Sequence, residues 1–411
     1  MYYKFQQATQ NTPFDSLHVS TQNFLQEKAL TYRLSFSEIK NLIEIAIDLQ
    51  MWNENTLQEI WVDVSDKKKT LLHVSHIYQD LRDKPKRYAQ EKPQHKMHKI
   101  SLEHIQKPSL GIGSCPVASP KTRCCNLMTL DAVESCGFDC SYCSIQSFYH
   151  ENKVVFDTDF AHKLANLELD ANKTYHIGTG QSSDSLLWGN KGGILEALFS
   201  FATSHSNVIL ELKSKSNNIA YLLEHEVPKN VLVTFSLNPQ IIITNEEHGS
   251  ASLHERITAA RALADKGILV GFHFHPMVVF ENSINEYAKI AKELIKRFTC
   301  NEVALVSMGT LTFIKPVLKK LRKRAIHSKI LQMPLSNANG KFSYPLEQKK
   351  QMFQTLYAAF SPWHTQVFFY LCMEDASLWK SVFNYEYASN EAFEQAMLAA
   401  YMQKIEYAKS F

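Results

Sequence analysis

Nothing in this sequence is long and apolar enough to span a bilayer: no run approaches the roughly 20 residues that a crossing needs. The opening residues, MYYKFQQATQ, lack the charged and then apolar layout of a secretory signal. A cytoplasmic protein is therefore expected, in which thiols stay reduced unless they bind metal or take part in chemistry. Strong net charge is missing as well. The formal charge is +3 over 411 residues, so any contact with nucleic acid must rest on local patches. Internal repeats and low-complexity tracts are also absent. What remains is a chain with 45% hydrophobic and 21% charged side chains, long enough for one large domain plus a smaller one.

Two stretches are locally basic. Residues 82–107 hold eight Lys or Arg against Asp83, Glu91 and Glu103, and residues 315–329 hold seven Lys or Arg and no acid. Such clusters either track phosphates, with a steep salt dependence, or form a solvated linker and a solvated helix face. Ser35 and Glu38 stand at capping-box spacing, and Ile39, Leu42, Ile43, Ala46 and Ile47 follow at helical spacing, which predicts a small N-terminal helical unit. From about residue 122 the pattern alternates. Strands are expected at 124–130, 174–180, 208–215, 231–238, 268–279 and 302–308, and helices at 191–203, 216–225, 252–266, 284–298 and 315–325. Six strands with intervening helices imply a parallel sheet, open or curled toward a barrel, with chemistry at the carboxyl ends of the strands.

Just after the first of these strands, VESCGFDCSYCSIQ places Cys136, Cys140 and Cys143 in a C-x3-C-x2-C pattern. A closed zinc site normally takes four protein ligands, often as two C-x2-C pairs, and no second pair follows. A zinc site borrowing Cys125 or His150 is one alternative. Three cysteines on one loop suit a four-iron, four-sulfur cluster whose fourth iron has no protein ligand, open for a reacting group.

The triplet, with Tyr142 before its last cysteine, resembles the signature of the radical S-adenosylmethionine (SAM) superfamily. Within it the chain is most similar to the spore photoproduct lyase family, from about Cys136 to about Asp375. The similar segments are CSIQ (143–146), SSD (182–184), KSKSNNIAYLL (213–223), SLNP (236–239) and ERITAARALADKGILVGFHFHP (255–276). The resemblance implies an α/β fold, a radical SAM partial (β/α)6 barrel with a small, mainly helical N-terminal region. The boundaries that go with it are 1–110 for an N-terminal region with its basic linker, 111–375 for the barrel and 376–411 for a C-terminal helical segment.

The same resemblance implies two cofactors, a 4Fe-4S cluster on Cys136, Cys140 and Cys143, and SAM, whose reductive cleavage gives a 5′-deoxyadenosyl radical. It places Tyr142, Ser183, Asp184, Lys215, Ser236 and Asn238 around SAM, with Lys215 facing the SAM carboxylate and Asp184 accepting from its ammonium or ribose. Gly178-Thr179-Gly180 would lie against the amino group. His273 and His275 share one face of their strand and would either line the substrate cavity or pack as satisfied interior histidines. The implied partners are DNA and a flavodoxin- or ferredoxin-type electron donor, and the implied reaction is repair of a thymine dimer or related pyrimidine lesion. The alternatives are a radical SAM enzyme with another substrate, such as a modified nucleotide or a peptide, and a zinc-binding protein without catalysis.

Two departures stand out. Where the lyase family has a cysteine just before the SSD-like segment, this chain has Gln181, and the tyrosine after the third cluster cysteine is Ser144. An amide does not donate a hydrogen atom as a thiol does. Cys124 and Cys125, expected on the strand that feeds the cluster loop, either pack as small hydrophobes or stand in as donors. Together with Cys115-Pro116 they look like a longer subgroup of lyase-like proteins.

Overall fold

A computed structural model describes residues 2–90, 97, 99–115, 121–145, 152–324, 326–338 and 340–410. Glu91, Pro116, Gln146 and His150, each part of an expectation above, lie outside the described residues. By their contacts the residues fall into two compact units: 1–95 with 279–281 and 312–345, and 96–278 with 282–311 and 346–411.

The larger unit is built on one eight-stranded sheet: β1 Ile112–Ser114, β2 Met128–Leu130, β3 Tyr175–Thr179, β4 Val208–Ser214, β5 Val231–Ser236, β6 Val270–Met277, β7 Val303–Thr310 and β8 Phe368–Leu371. The spatial order follows the chain order, and every pair from β2 to β8 is parallel; β1 pairs antiparallel with β2. A helix lies between each of the strands β2 to β7 and the next strand, at Phe160–Ala165, Ile194–Ser204, Ala220–Glu224, Leu253–Asp265, Ser283–Arg297 and Leu346–Ala359. That is the partial (β/α)6 barrel, flanked by two strands, β1 and β8, that the sequence pattern did not reveal.

The helices form where local chemistry favours them. Ser252 accepts from the Glu255 N–H while the Glu255 carboxylate accepts from the Ser252 N–H, a complete capping box. Behind it Ile257, Ala260, Leu263 and Ala264 bury one face. One expectation is corrected. Cys124 and Cys125 are not on a strand, because Asn126 takes a left-handed φ of 51° and regular pairing starts only at Met128.

The smaller unit contains helices Tyr2–Thr9, Val19–Thr31, Phe36–Trp52 and Lys67–Asp83, with Lys315–Lys323 and a three-stranded antiparallel sheet from residues 312–343. The Ser35–Glu38 capping box forms as expected. The contacts thus divide the chain elsewhere than the expected boundaries do. Residues 312–345 group with the N-terminal helices because the Arg322 guanidinium bonds the fully buried Asp48 carboxylate at 2.8 and 2.9 Å, and Tyr78 donates to the same group. Arg322, and Lys329 at 2.5 Å from Glu54, are therefore neutralised inside the unit rather than left free on a basic face.

A polar network crosses the barrel strands. Glu211 on β4 contacts the Nε2 atoms of His176 (2.8 Å) and His273 (2.6 Å) and accepts from Thr234 (2.6 Å), while Nδ1 of His273 meets Ser307 Oγ at 2.5 Å. Both ring nitrogens of His273 are thus engaged, which makes it a satisfied interior histidine. Burial pushes its pKa from 6.5 to about 4, with Lys213 adding to the shift and Glu211 opposing it. A histidine kept neutral in the fold and protonated in the unfolded chain removes stability as pH falls from about 6.5 to about 4. Denaturant midpoints should drop across that window, by up to about 3 kcal/mol of stability, and His273→Gln should flatten the dependence. A wild-type midpoint that stays constant between these pH values would contradict this assignment.

Candidate active site

The triplet loop is bolted to one short segment. Asp139–Cys140 pairs antiparallel with Glu247–His248, setting Cys140 against Glu247. The next residue, Ser141, donates its N–H to Glu246 O at 2.9 Å and its hydroxyl to the Glu246 carboxylate. Cys143 N–H closes a turn on Cys140 O at 3.2 Å, and Phe138 N–H points at Cys136 Sγ at 3.4 Å. All three thiols border one cavity of about 180 Å³ at the carboxyl ends of β3, β4 and β5, together with Tyr142, Gln181, Ser183, Asp184, Lys213, Lys215 and Ser236. They do not converge on a point: among the described residues, no three His, Cys, Asp or Glu side chains are placed to hold a single metal ion. Burial holds the Cys136 and Cys140 thiols well above their ordinary pKa, with Asp184 adding to the first and Glu247 to the second.

Glu247, which sequence reasoning missed, is the hub beneath this cavity. Its Oε1 accepts from Tyr142 OH and from Asn238 Nδ2 at 2.7 Å, and its Oε2 from Arg256 Nη2 at 2.6 Å. Lys215 Nζ stands 3.9 Å from Oε1 and 5.8 Å from the centre of the Tyr142 ring, a cation–π arrangement. Burial alone would raise the Glu247 pKa; Arg256 and Lys215, with the hydrogen bonds from Tyr142 and Asn238, hold it down at about 2. Arg256, fully buried, also donates to Ser236 O, Ala251 O and Ser250 Oγ, so each of its three nitrogens has at least one acceptor.

The site residues expected around SAM divide into two kinds. Tyr142, Ser183, Lys215 and Ser236 line the cavity, and among the described residues the buried Ser183 Oγ has no hydrogen-bond partner. Asp184 lines it too, but its carboxylate already accepts from the N–H groups of Leu186, Leu187 and Lys215 and from Ser214 Oγ, at 2.7 to 3.1 Å. It staples the loop after β3 to the end of β4. Asn238 is not among the cavity-lining residues: its amide is spent on Glu247 and on Tyr287 OH, at 2.7 and 2.6 Å. Gly180 is required by the turn itself. Its φ is +82°, and a Cβ there would meet Ser185 Oγ at 2.6 Å and Lys213 O at 2.7 Å.

Comparison with known proteins adds to this geometry. Residues 131–359, more than half of the chain, match the spore photoproduct lyase family, and the chain belongs to it. The spore photoproduct lyase of Clostridium acetobutylicum is 31% identical over 80 residues, 20% of this chain; the match spans about a quarter (24%) of that relative's length. Among solved structures, spore photoproduct lyase complexed with dinucleoside spore photoproduct aligns with a TM-score of 0.57 at 17% identity, over 66% of this chain and 82% of that one. A double mutant of spore photoproduct lyase with bound AdoMet and dinucleoside spore photoproduct aligns at 0.54 and 16%, over 81% and 94%. At such identities the likeness to the structures is one of fold.

The Glu247 hub generates a prediction about stability. Glu247→Ala would leave the buried Arg256 charge unpaired, and losing one partner of such a pair costs about 3–5 kcal/mol. A denaturant titration should register that loss in the apoprotein. A shift no larger than that of an ordinary surface substitution would show that the pair carries no such weight.

Proposed function

We propose that this member of the spore photoproduct lyase family is a radical SAM enzyme that holds a 4Fe-4S cluster on Cys136, Cys140 and Cys143 and acts on a thymine dimer or related pyrimidine lesion in DNA. The observation that carries the reading is a single cavity bordered by three thiols, the Lys215 ammonium and the unpartnered Ser183 hydroxyl. The donor set fits the group: thiols that surround a cavity without meeting at one point suit a cluster of several irons better than a lone zinc. When bound, cluster and SAM together supply a 5′-deoxyadenosyl radical able to take hydrogen from substrate.

The chain's own residues hold and orient. Lys215 offers a cation for a carboxylate, kept in place by Glu247 and by the Tyr142 ring. Ser183, whose buried Oγ has no hydrogen-bond partner among the described residues, lines the same cavity. Tyr142 presents an apolar face whose orientation is fixed by its hydroxyl bond to Glu247. Proposed with the same reading are a cytoplasmic location and a flavodoxin- or ferredoxin-type electron donor. Gln181 on the cavity wall, where the family has a cysteine, favours a second reading in which the same radical chemistry serves another substrate.

The decisive experiment reconstitutes the protein without oxygen and supplies SAM, reductant and DNA with a synthetic spore-type thymine dimer. We expect iron and sulfide in the ratio of one cluster, 5′-deoxyadenosine, and released thymine. SAM cleavage without thymine would move the assignment to the second reading, and one zinc in place of iron and sulfide would end both. In the same preparation Lys215→Ala should weaken SAM binding by roughly 1.5–3 kcal/mol, the scale of a charge-assisted hydrogen bond, with cluster content unchanged. Unaltered affinity would remove Lys215 from the SAM site.

A further inference from the structure

The smaller unit has a cavity of its own, of about 250 Å³, lined from its helices and its three-stranded sheet. One wall is the helix Lys315–Lys323, which presents Lys315, Leu318, Lys319 and Arg322 at the i, i+3, i+4 and i+7 spacing of a single helical face. Val317 and Leu321 are buried on the opposite side of that helix, which fixes its rotation. Arg82, in the last turn of the helix Lys67–Asp83, and Glu44, on the helix Phe36–Trp52, line the cavity too.

The charges in this cavity do not balance. Arg322 is matched by the buried Asp48, at 2.8 and 2.9 Å, and by Glu44 at 3.5 Å. Arg82 meets only backbone carbonyls: its Nη2 donates to Met333 O at 3.1 Å and Leu335 O at 3.5 Å. Its buried Nε has no hydrogen-bond partner among the described residues. Lys315 and Lys319 are exposed, and neither is paired with an acid among the described residues. Four cations thus meet two carboxylates, and residues 315–329 hold no acid to add a third. A solvated helix face accounts for lysines alone. It does not account for an arginine on the same cavity with a buried N–H unused, a cost that an anion there would remove.

We propose that this cavity binds a phosphate group of the DNA backbone; the choice of DNA as its source rests on the function proposed above. A phosphodiester brings negative charge and oxygens that accept from a guanidinium fork and from ammonium groups, the set that Arg82, Lys315 and Lys319 offer. Leu318, Leu335 and Phe342 supply apolar wall for the attached sugar. Such a contact reads no base edge, so the site adds affinity and register on any sequence and leaves recognition of a lesion elsewhere. Free phosphate or a nucleotide would satisfy the same cations. A strand is favoured by Lys323, exposed and without an acidic partner among the described residues, one helical turn or about 6 Å beyond Lys319. It carries the positive surface past the cavity, as a polyanion requires.

The test uses the whole chain and needs neither SAM nor turnover. Binding to a lesion-free duplex oligonucleotide is followed by fluorescence anisotropy across a salt series. Lys315→Gln and Lys319→Gln should each weaken binding and lower the slope of log affinity against log salt by about one. Lys69→Gln, exposed near the other end of the helix that carries Arg82, should change neither. In the wild type, lysine acetylation read by peptide mass mapping should show DNA shielding Lys315 and Lys319 but not Lys69, a readout that needs no variant. Slopes unchanged in both cavity variants, or equal acetylation with and without DNA, would overturn the proposal. So would shielding by inorganic phosphate or a mononucleotide where DNA shields nothing, which would make this a site for a free phosphate compound. A protein that keeps the shielding but releases no thymine loses the lesion assignment alone, whereas thymine release without the shielding removes the cavity alone.

Discussion

The site depends on one buried charge. A carboxylate removed from water is costly unless every oxygen finds a donor, and Glu247 meets that condition with partners from distant parts of the chain. Tyr142 comes from the cysteine loop, Asn238 from the turn after β5, Arg256 from the helix between β5 and β6, and Lys215 from the end of β4. Satisfying this single group therefore sets the loop, two strand ends and a helix in register. Its backbone neighbours act in the same direction, since the pairing of Glu247 with Cys140 fixes the middle cysteine. The charge is structural, yet what it builds is the wall of the cavity.

Polar groups in this region sort by whether their valences are already filled. Asp184 has four donors from the protein itself and so shapes the loop after β3 rather than holding a ligand. Asn238 is filled by Glu247 and Tyr287. The buried Ser183 hydroxyl, beside Asp184 on the same wall, is left unfilled, and an unpaired buried hydroxyl is a cost that a bound ligand would remove. Family resemblance places all three near SAM; only the hydrogen-bond inventory separates the builders from the group left available.

What the sequence revealed follows the same physical division. The cysteine triplet, the Ser35–Glu38 capping box, the six strands and the helices found at Ile194–Ser204, Ala220–Glu224, Leu253–Asp265 and Ser283–Arg297 are local patterns, readable within a few residues or one period. The resemblance set Asn238 beside Ser236, but β5 stops at Ser236, the chain turns toward the helix Gln240–Glu246, and the Asn238 amide is spent on Glu247 and Tyr287. CCNLMTL has the composition of a strand, but a left-handed Asn126 inside it ends the pairing. Glu247 carries no local signal at all, since its partners Tyr142 and Lys215 lie 105 and 32 residues away. The grouping of residues 312–345 with the N-terminal helices was hidden for the same reason: Arg322 and Asp48 are 274 residues apart.

The seam of the barrel has its own logic. A curled sheet that stops short of closure exposes edge N–H and C=O groups, and a chain has to cover or pair them. Here β1 covers one end antiparallel, and the bridge from Thr122 to Asp375 joins the run before β2 to the continuation of β8. Glu374, at that junction, accepts from Thr310 and pairs with Lys349, so the seam is tied to the end of β7 and to the helix Leu346–Ala359. The bonding is intermittent rather than a full ladder, because Asn126 and Met373 both take left-handed φ values and turn the backbone out of register. Cys115 follows β1, Cys125 precedes β2 and Cys372 follows β8, so three thiols stand along this interrupted stretch.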